Sequence, residues 1–227
     1  MLMKRILTGV LLLLITTTAF AQNRGTEPYY GFRLGLAAHP TIGWAKAEDG
    51  KSNGVNLGFT YGLLADFNFA ENYSFSTGLT ITSINGKTTE INPSPYHDAV
   101  ANPNPTAYDL KYMLQYVEIP LTVKLKTEKI GAVRWYGQFG LSNDFNIGAK
   151  QNVTLAGKTI ADGIHIKKDI NFYRAGLIIG GGLEYDVARS TSVTTGLTFN
   201  NGFTDISDDK SRSVKNSYIG INFGVFF

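Results

Sequence analysis

From Tyr29 onward the chain is dominated by alternation of apolar and polar positions. In the last stretch the odd positions are apolar, Ile219, Ile221, Phe223, Val225 and Phe227. The even positions hold Gly220, Asn222 and Gly224, with Phe226 the exception. A period of two is what a strand shows when its two faces meet different surroundings. The same period predicts seven further strands: Tyr29–Ala37, Val55–Phe69, Tyr73–Asn85, Tyr112–Lys126, Val133–Gly148, Asp169–Val187 and Thr191–Asn200. The hairpin at Ala70-Glu71-Asn72 is the clearest. Tyr73, Phe75, Leu79 and Ile81 alternate there with Ser74, Ser76, Gly78, Thr80 and Thr82.

The connections predict the topology. Short turns at 70–72, 127–132 and 188–190 alternate with long segments, His39–Gly54, Gly86–Lys111, Ala149–Lys168 and Asn201–Lys215. Eight strands with this rhythm predict an antiparallel up-and-down barrel with both ends on the short-turn side. Apolar faces rich in aromatics, backed by Ser, Thr and Gly, place lipid outside and a narrow polar bore inside. The expected fold is therefore an all-β, eight-stranded transmembrane barrel, with a soluble ligand-carrying barrel as the alternative. Pro93, Pro95, Pro103 and Pro105 bar a strand from the middle of the second long segment, and Pro120 predicts a local bulge.

The first residues carry a different signal. Lys4 and Arg5 precede an apolar run from Ile6 to Ile15, then Ala19-Phe20-Ala21. This is the form of a secretory signal peptide over residues 1–21, leaving residues 22–227 as one mature domain. Removing Lys4 and Arg5 leaves 19 basic residues against 18 acidic ones, a net charge of +1. That balance gives no support for a nucleic-acid partner. The chain has no cysteine, which removes a lipid-acylated amino terminus, disulfides and thiolate metal sites.

Candidate chemistry is sparse. Arg33, Asp66, Glu118, Lys124, Arg174, Glu184 and Asp186 have inward parity. Buried charges of both signs must pair, so the expectation is a structural ion-pair network filling the bore, with an ion or proton path as its rival. His39, His97 and His165 fall in separate long segments, which argues against a shared metal site. Ser52, Ser94 and Asp98 lie near two of them without a nucleophile motif, and Asp205, Asp208 and Asp209 lack calcium-loop spacing. No cofactor and no enzymatic activity are expected.

Two resemblances narrow the reading. The ending Gly220, Phe223, Val225, Phe227 resembles the closing strand of bacterial outer-membrane barrels, which implies recognition by the barrel-insertion machinery. The run Gln115-Tyr116-Val117-Glu118-Ile119-Pro120-Leu121-Thr122-Val123-Lys124 and the strand from Ala175 to Tyr185, with Gly180, Gly182 and Glu184, resemble the PorT-like outer-membrane β-barrel family of Bacteroidetes. The resemblance implies an outer-membrane scaffold among lipid. Because some family members take part in type IX secretion and gliding, it also implies a possible envelope or secretion partner. A narrow channel is the remaining alternative.

Overall fold

The computed structural model describes residues 31–48, 50–97, 103–188, 190–209 and 212–227. The expected signal peptide, Tyr29, Tyr30 and Asp98 lie outside them. The elements in order are β1 (Gly31–Ala47), β2 (Gly50–Ala70), β3 (Tyr73–Ile91), β4 (Ala107–Lys126), β5 (Val133–Leu155) and β6 (Lys158–His165). A 3-10 turn (Lys167–Asp169), β7 (Tyr173–Asp186), β8 (Ser192–Gly202) and β9 (Val214–Phe226) follow. Every pairing is antiparallel. Strands β1 to β5 pair in sequence, β5 pairs β7, and β7, β8 and β9 lead back to β1. The ring thus has eight strands, as expected, and β6 is an extra strand paired only with β5.

Closure runs from Gly35↔Phe226 to Ala47↔Val214. It continues to the carboxy-terminus, where Leu34 and Phe227 exchange backbone hydrogen bonds of 2.9 and 3.3 Å. In hydrocarbon no other partner exists for those groups.

Three expected loops are partly or largely strand. β1 runs through Pro40 to Ala47, so His39–Gly54 is not a loop. The missing proline N–H is tolerated because the β1–β9 pairs are interrupted between Ala37↔Gly224 and Thr41↔Gly220, while the β1–β2 pairs continue. Residues 86–91 and 107–111 extend β3 and β4, and all four prolines of the segment fall between Ile91 and Ala107. Residues 149–155 extend β5 into a hairpin with β6, turned by Ala156 (φ 48°) and Gly157 (φ 78°). Two consecutive positive φ values suit the twist of a tight hairpin. In contrast, the expected sixth strand is shorter than its pattern and starts at Tyr173.

The bulge expected at Pro120 is absent. The β3–β4 register is the same on both sides of it, Thr77↔Leu121 and Thr80↔Glu118. The irregularity in β4 lies instead at Gln115/Tyr116 against β5.

That irregularity marks a boundary. Below it, toward the short turns, Leu79, Leu121, Leu125, Trp135, Phe139 and Leu141 are exposed, while Ser74, Thr80, Thr122, Ser142 and Asp144 are buried. Above it the faces exchange character. Inward positions become Ile84, Leu110, Tyr112, Leu114, Tyr116 and Val153, all buried, and outward ones become Asn85, Lys87, Lys111, Gln115, Lys150 and Asn152. Apolar side chains face lipid below and each other above, so the tall halves of β3, β4 and β5 stand clear of the bilayer.

Charged substitutions locate this boundary. Leu63 and Leu177, 49% and 40% exposed on the lower band, are each expected to cost about 2–4 kcal/mol as Leu→Arg. Met113→Arg, outward above the boundary, is expected to stay within about 0.5 kcal/mol. Urea titration in lipid vesicles measures all three. Equal losses at Met113 and Leu63 would place lipid against the upper strands as well.

Candidate functional site

Inward parity brings charges from four strands together near the short-turn end of the bore. Arg33 of β1 reaches Asp66 of β2 at 2.9 Å and Glu184 of β7 at 2.7 Å. Lys124 of β4 lies 3.2 Å from Asp66, and Lys126 lies 4.0 Å from both acids. The Ser76 hydroxyl also donates to Asp66. Phe226, the exception to the terminal alternation, points into this cluster. Its ring lies 4.9 Å from the Arg33 guanidinium and 4.8 Å from the Lys124 ammonium, an arrangement in which the aromatic face attracts both cations. Gly35 makes room for it, since a Cβ there would stand 2.8 Å from the ring.

Glu118 and Arg174 join a second, higher cluster. Arg174 is fully buried. It donates from Nη1 to Asp144, from Nε to Asn216 Oδ1 at 2.5 Å and from Nη2 to Asn200 Oδ1 at 2.9 Å. Asn200 in turn donates to Ser142 at 2.9 Å. The Tyr218 hydroxyl is 2.9 Å from both oxygens of Glu118. Gly202 clears the space for Arg174, whose Nη2 would be 2.7 Å from a Cβ there. Between the two clusters is a cavity of about 100 Å³, a volume that fits a few waters among polar groups.

Asp186 joins neither cluster. It contacts Lys129 at the short-turn rim and lies 3.9 Å from Arg134. Asp144, Asn200 and Asn216 also belong to the upper cluster, although the sequence reading did not single them out. Inward parity marks all three, with charge added at Asp144.

The histidines are apart. His39 lines the bore cavity, His97 meets Tyr108 edge-on at 6.1 Å, and His165 ends β6. Among the described residues no group of three His, Cys, Asp or Glu side chains could hold a metal. Ser52 lies in β2, not in a loop, and Ser94 lies between β3 and β4. Asp205 has a structural role, accepting from the backbone of Ser207 at 2.9 Å and Val214 at 2.8 Å.

Above the upper cluster the inward apolar residues form a plug, completed by Ile166, Ile170 and Ile206 from the connecting segments. Those segments are stitched together across the mouth. Ile170 bridges Ser207, Asn171 Nδ2 donates to the carbonyls of Asp205 and Ser207, and Asp208 N donates to Asp169 O at 3.0 Å. A third segment is attached by Tyr96, whose hydroxyl donates to Gln151 Oε1 at 2.7 Å. Burial and then the Asp169 carboxylate raise the Tyr96 phenol above its ordinary value, so it remains a neutral donor. This cap lines a second cavity of about 310 Å³ that is open to solvent.

The family model described as "Outer membrane protein beta-barrel domain" matches residues 20–208. No curated protein matches the chain. Among solved structures, Neisserial surface protein A is 16% identical, over 85% of this chain and 95% of that one, with a TM-score of 0.44. OprG from Pseudomonas aeruginosa is 13% identical, over 88% and 97%, with a TM-score of 0.45. The N-terminal β-barrel domain of Pseudomonas aeruginosa OprF is 14% identical, over 84% and 97%, with a TM-score of 0.36.

The upper cluster yields a stability test. Arg174→Met strands the Asp144 carboxylate without its cation and is expected to cost about 3–5 kcal/mol. Arg174→Met combined with Asp144→Leu is expected to recover most of that loss. Urea unfolding in vesicles reads both. Equal losses in the single and double variants would show that Asp144 does not depend on Arg174.

Proposed function

We propose a role for a chain that belongs to the outer membrane protein beta-barrel domain family and lies in the outer membrane. It is a non-enzymatic scaffold whose filled barrel holds a cap above the bilayer, on the exterior, for binding. The supporting observation is the stack inside the ring: two polar clusters, with Arg174 fully buried, and an apolar plug above them. A bore so filled suits anchoring better than passage.

The finer reading adds four parts. Residues 1–21 are a cleaved signal peptide and residues 22–227 the mature barrel domain. Gly220, Phe223, Val225 and Phe227 are read by the barrel-insertion machinery. The chain is a PorT-like protein of Bacteroidetes, supported by the residues from Gln115 to Lys124 and from Ala175 to Tyr185. Its partner is an envelope protein, and a place in a type IX secretion apparatus is the form of this reading that crosslinking tests.

Two experiments follow. Reconstitution in planar bilayers is expected to give no discrete conductance steps. Regular steps would replace the scaffold with a narrow channel. Mild crosslinking in outer membranes followed by mass spectrometry is expected to recover envelope proteins, and secretion components among them would assign the barrel to that machine. Recovery of the barrel alone would remove the protein partner.

A further inference from the structure

Three rows of outward side chains cross β1, β9 and β8 where the lipid-facing surface ends. The lowest row is apolar, with Ile42 opposite Ile219 and Ile219 opposite Phe199. The next holds Trp44, Ser217 and Asn201. Trp44 stacks with Phe199, the ring centroids 6.1 Å apart and the planes 10° from parallel. Such an aromatic layer belongs at the level of the lipid headgroups. Asn201 is exposed, and its Oδ1 accepts from Ser217 Oγ at 3.1 Å, so its amide nitrogen faces outward as a donor. The top row sets Lys46 directly opposite Lys215, both exposed, about 7 Å further along the strands. Like charges directly opposite on one face destabilise a sheet, and an anion between them removes the repulsion. The chain supplies none. Among the described residues no ion pair reaches Lys46 or Lys215. Glu48, beyond the end of β1, is exposed, and Asp205 Oδ1 accepts from the backbone of Ser207 and Val214.

We propose that this corner binds an anionic, phosphate-bearing lipid of the surrounding leaflet. Its phosphate lies between the Lys46 and Lys215 ammonium groups, and the start of its acyl chains lies against Trp44 and Phe199. Position selects a lipid over a solute: an ion from solution would use the lysines alone, whereas the aromatic and apolar rows run on beneath them into the lipid-facing band. Charge selects an anionic lipid over a zwitterionic one, because a zwitterionic headgroup brings its own ammonium to its phosphate. The site is on the outside of the ring and does not depend on what the cap binds.

Trp44 reports on its own site. The chain has two tryptophans, and Trp135 sits at the short-turn end of β5, so Trp135→Phe leaves Trp44 as the reporter. The full barrel is refolded into phosphatidylcholine vesicles that contain brominated phosphatidylglycerol or, in parallel, brominated phosphatidylcholine. Quenching of Trp44 fluorescence gives the relative affinity of the two lipids at this corner. The anionic lipid is expected to be favoured at least about fivefold, the factor that one lysine contributes beside an anionic surface. Lys46→Gln combined with Lys215→Gln is expected to bring the ratio close to one, and either change alone to lower it severalfold. Both side chains are exposed, so the variants keep the ring intact. Lys87→Gln, from the other opposed pair of lysines, Lys87↔Lys111 on β3 and β4, is expected to leave the ratio unchanged. Equal quenching by the two lipids, or a preference that survives the double change, would overturn the proposal. An equal loss with Lys87→Gln would replace the site with overall charge. Loss of the preference in excess inorganic phosphate would assign the lysines to a dissolved anion and not to lipid.

Discussion

A backbone amide in hydrocarbon finds no hydrogen-bond partner except another part of the chain, and the rest of this structure depends on that constraint. The ladder from Gly35↔Phe226 to Ala47↔Val214 removes the two edges that an open sheet would expose. Once the ring is closed, the strand period leaves only two destinations for a side chain. Leu63, Phe139 and Leu177 go to lipid, and Thr80, Ser142 and Arg174 go to the bore. Closure also fixes the lower cluster: Arg33 and Asp66 are partners on adjacent strands, but Glu184 of β7 reaches Arg33 of β1 only across the closed ring.

Height is the second consequence. Above the β4–β5 irregularity water replaces lipid outside, and the same period of two serves the opposite polarity. Ile84, Leu110, Tyr112 and Val153 form a core of the ordinary soluble kind there, with Lys87, Lys111 and Lys150 facing water. The barrel is thus two proteins in one ring, a lipid-facing half with a polar interior and a water-facing half with an apolar one. The plug of the upper half covers the polar clusters of the lower half, and the stitched connections from Ile166 to Ile170 and from Ser207 to Asp209 lie over the plug.

Strand identity and parity were legible because each membrane-crossing segment alternates cleanly, as from Tyr73 to Thr82. Strand length was not. At Ile84, Gly86, Thr88 and Glu90 the inward face changes character, and a reading tuned to apolar-outside alternation ends the strand where the bilayer ends. Pro40 misled for a local reason: a proline reads as a breaker unless one knows that its N–H faces a gap in the ladder. The turn at Ala156-Gly157 lies in a segment whose flanks are too polar to read as strands. In the bore, charge marked Arg33, Asp66, Lys124 and Glu184, whereas the amides Asn200 and Asn216 were silent until partners across the ring appeared.

The ionic filling has a reason beyond stability. Buried ion pairs are often no more stabilising than apolar residues of the same shape, so Arg174 with Asp144 is poor evidence for strength. An apolar bore, however, would turn each strand into a continuous apolar run on both faces. A chain that must pass one membrane unfolded before entering another cannot carry such runs, since long apolar segments are retained as spanning helices. Alternation keeps every segment passable, and it leaves polar side chains to be accommodated once the ring closes. Eight strands leave too narrow a space for a water column, so those side chains must satisfy one another. The Arg33 and Arg174 clusters do so for most of their polar atoms, although Arg33 Nε, Asp144 Oδ1 and Asn216 Nδ2 have no hydrogen-bond partner among the described residues.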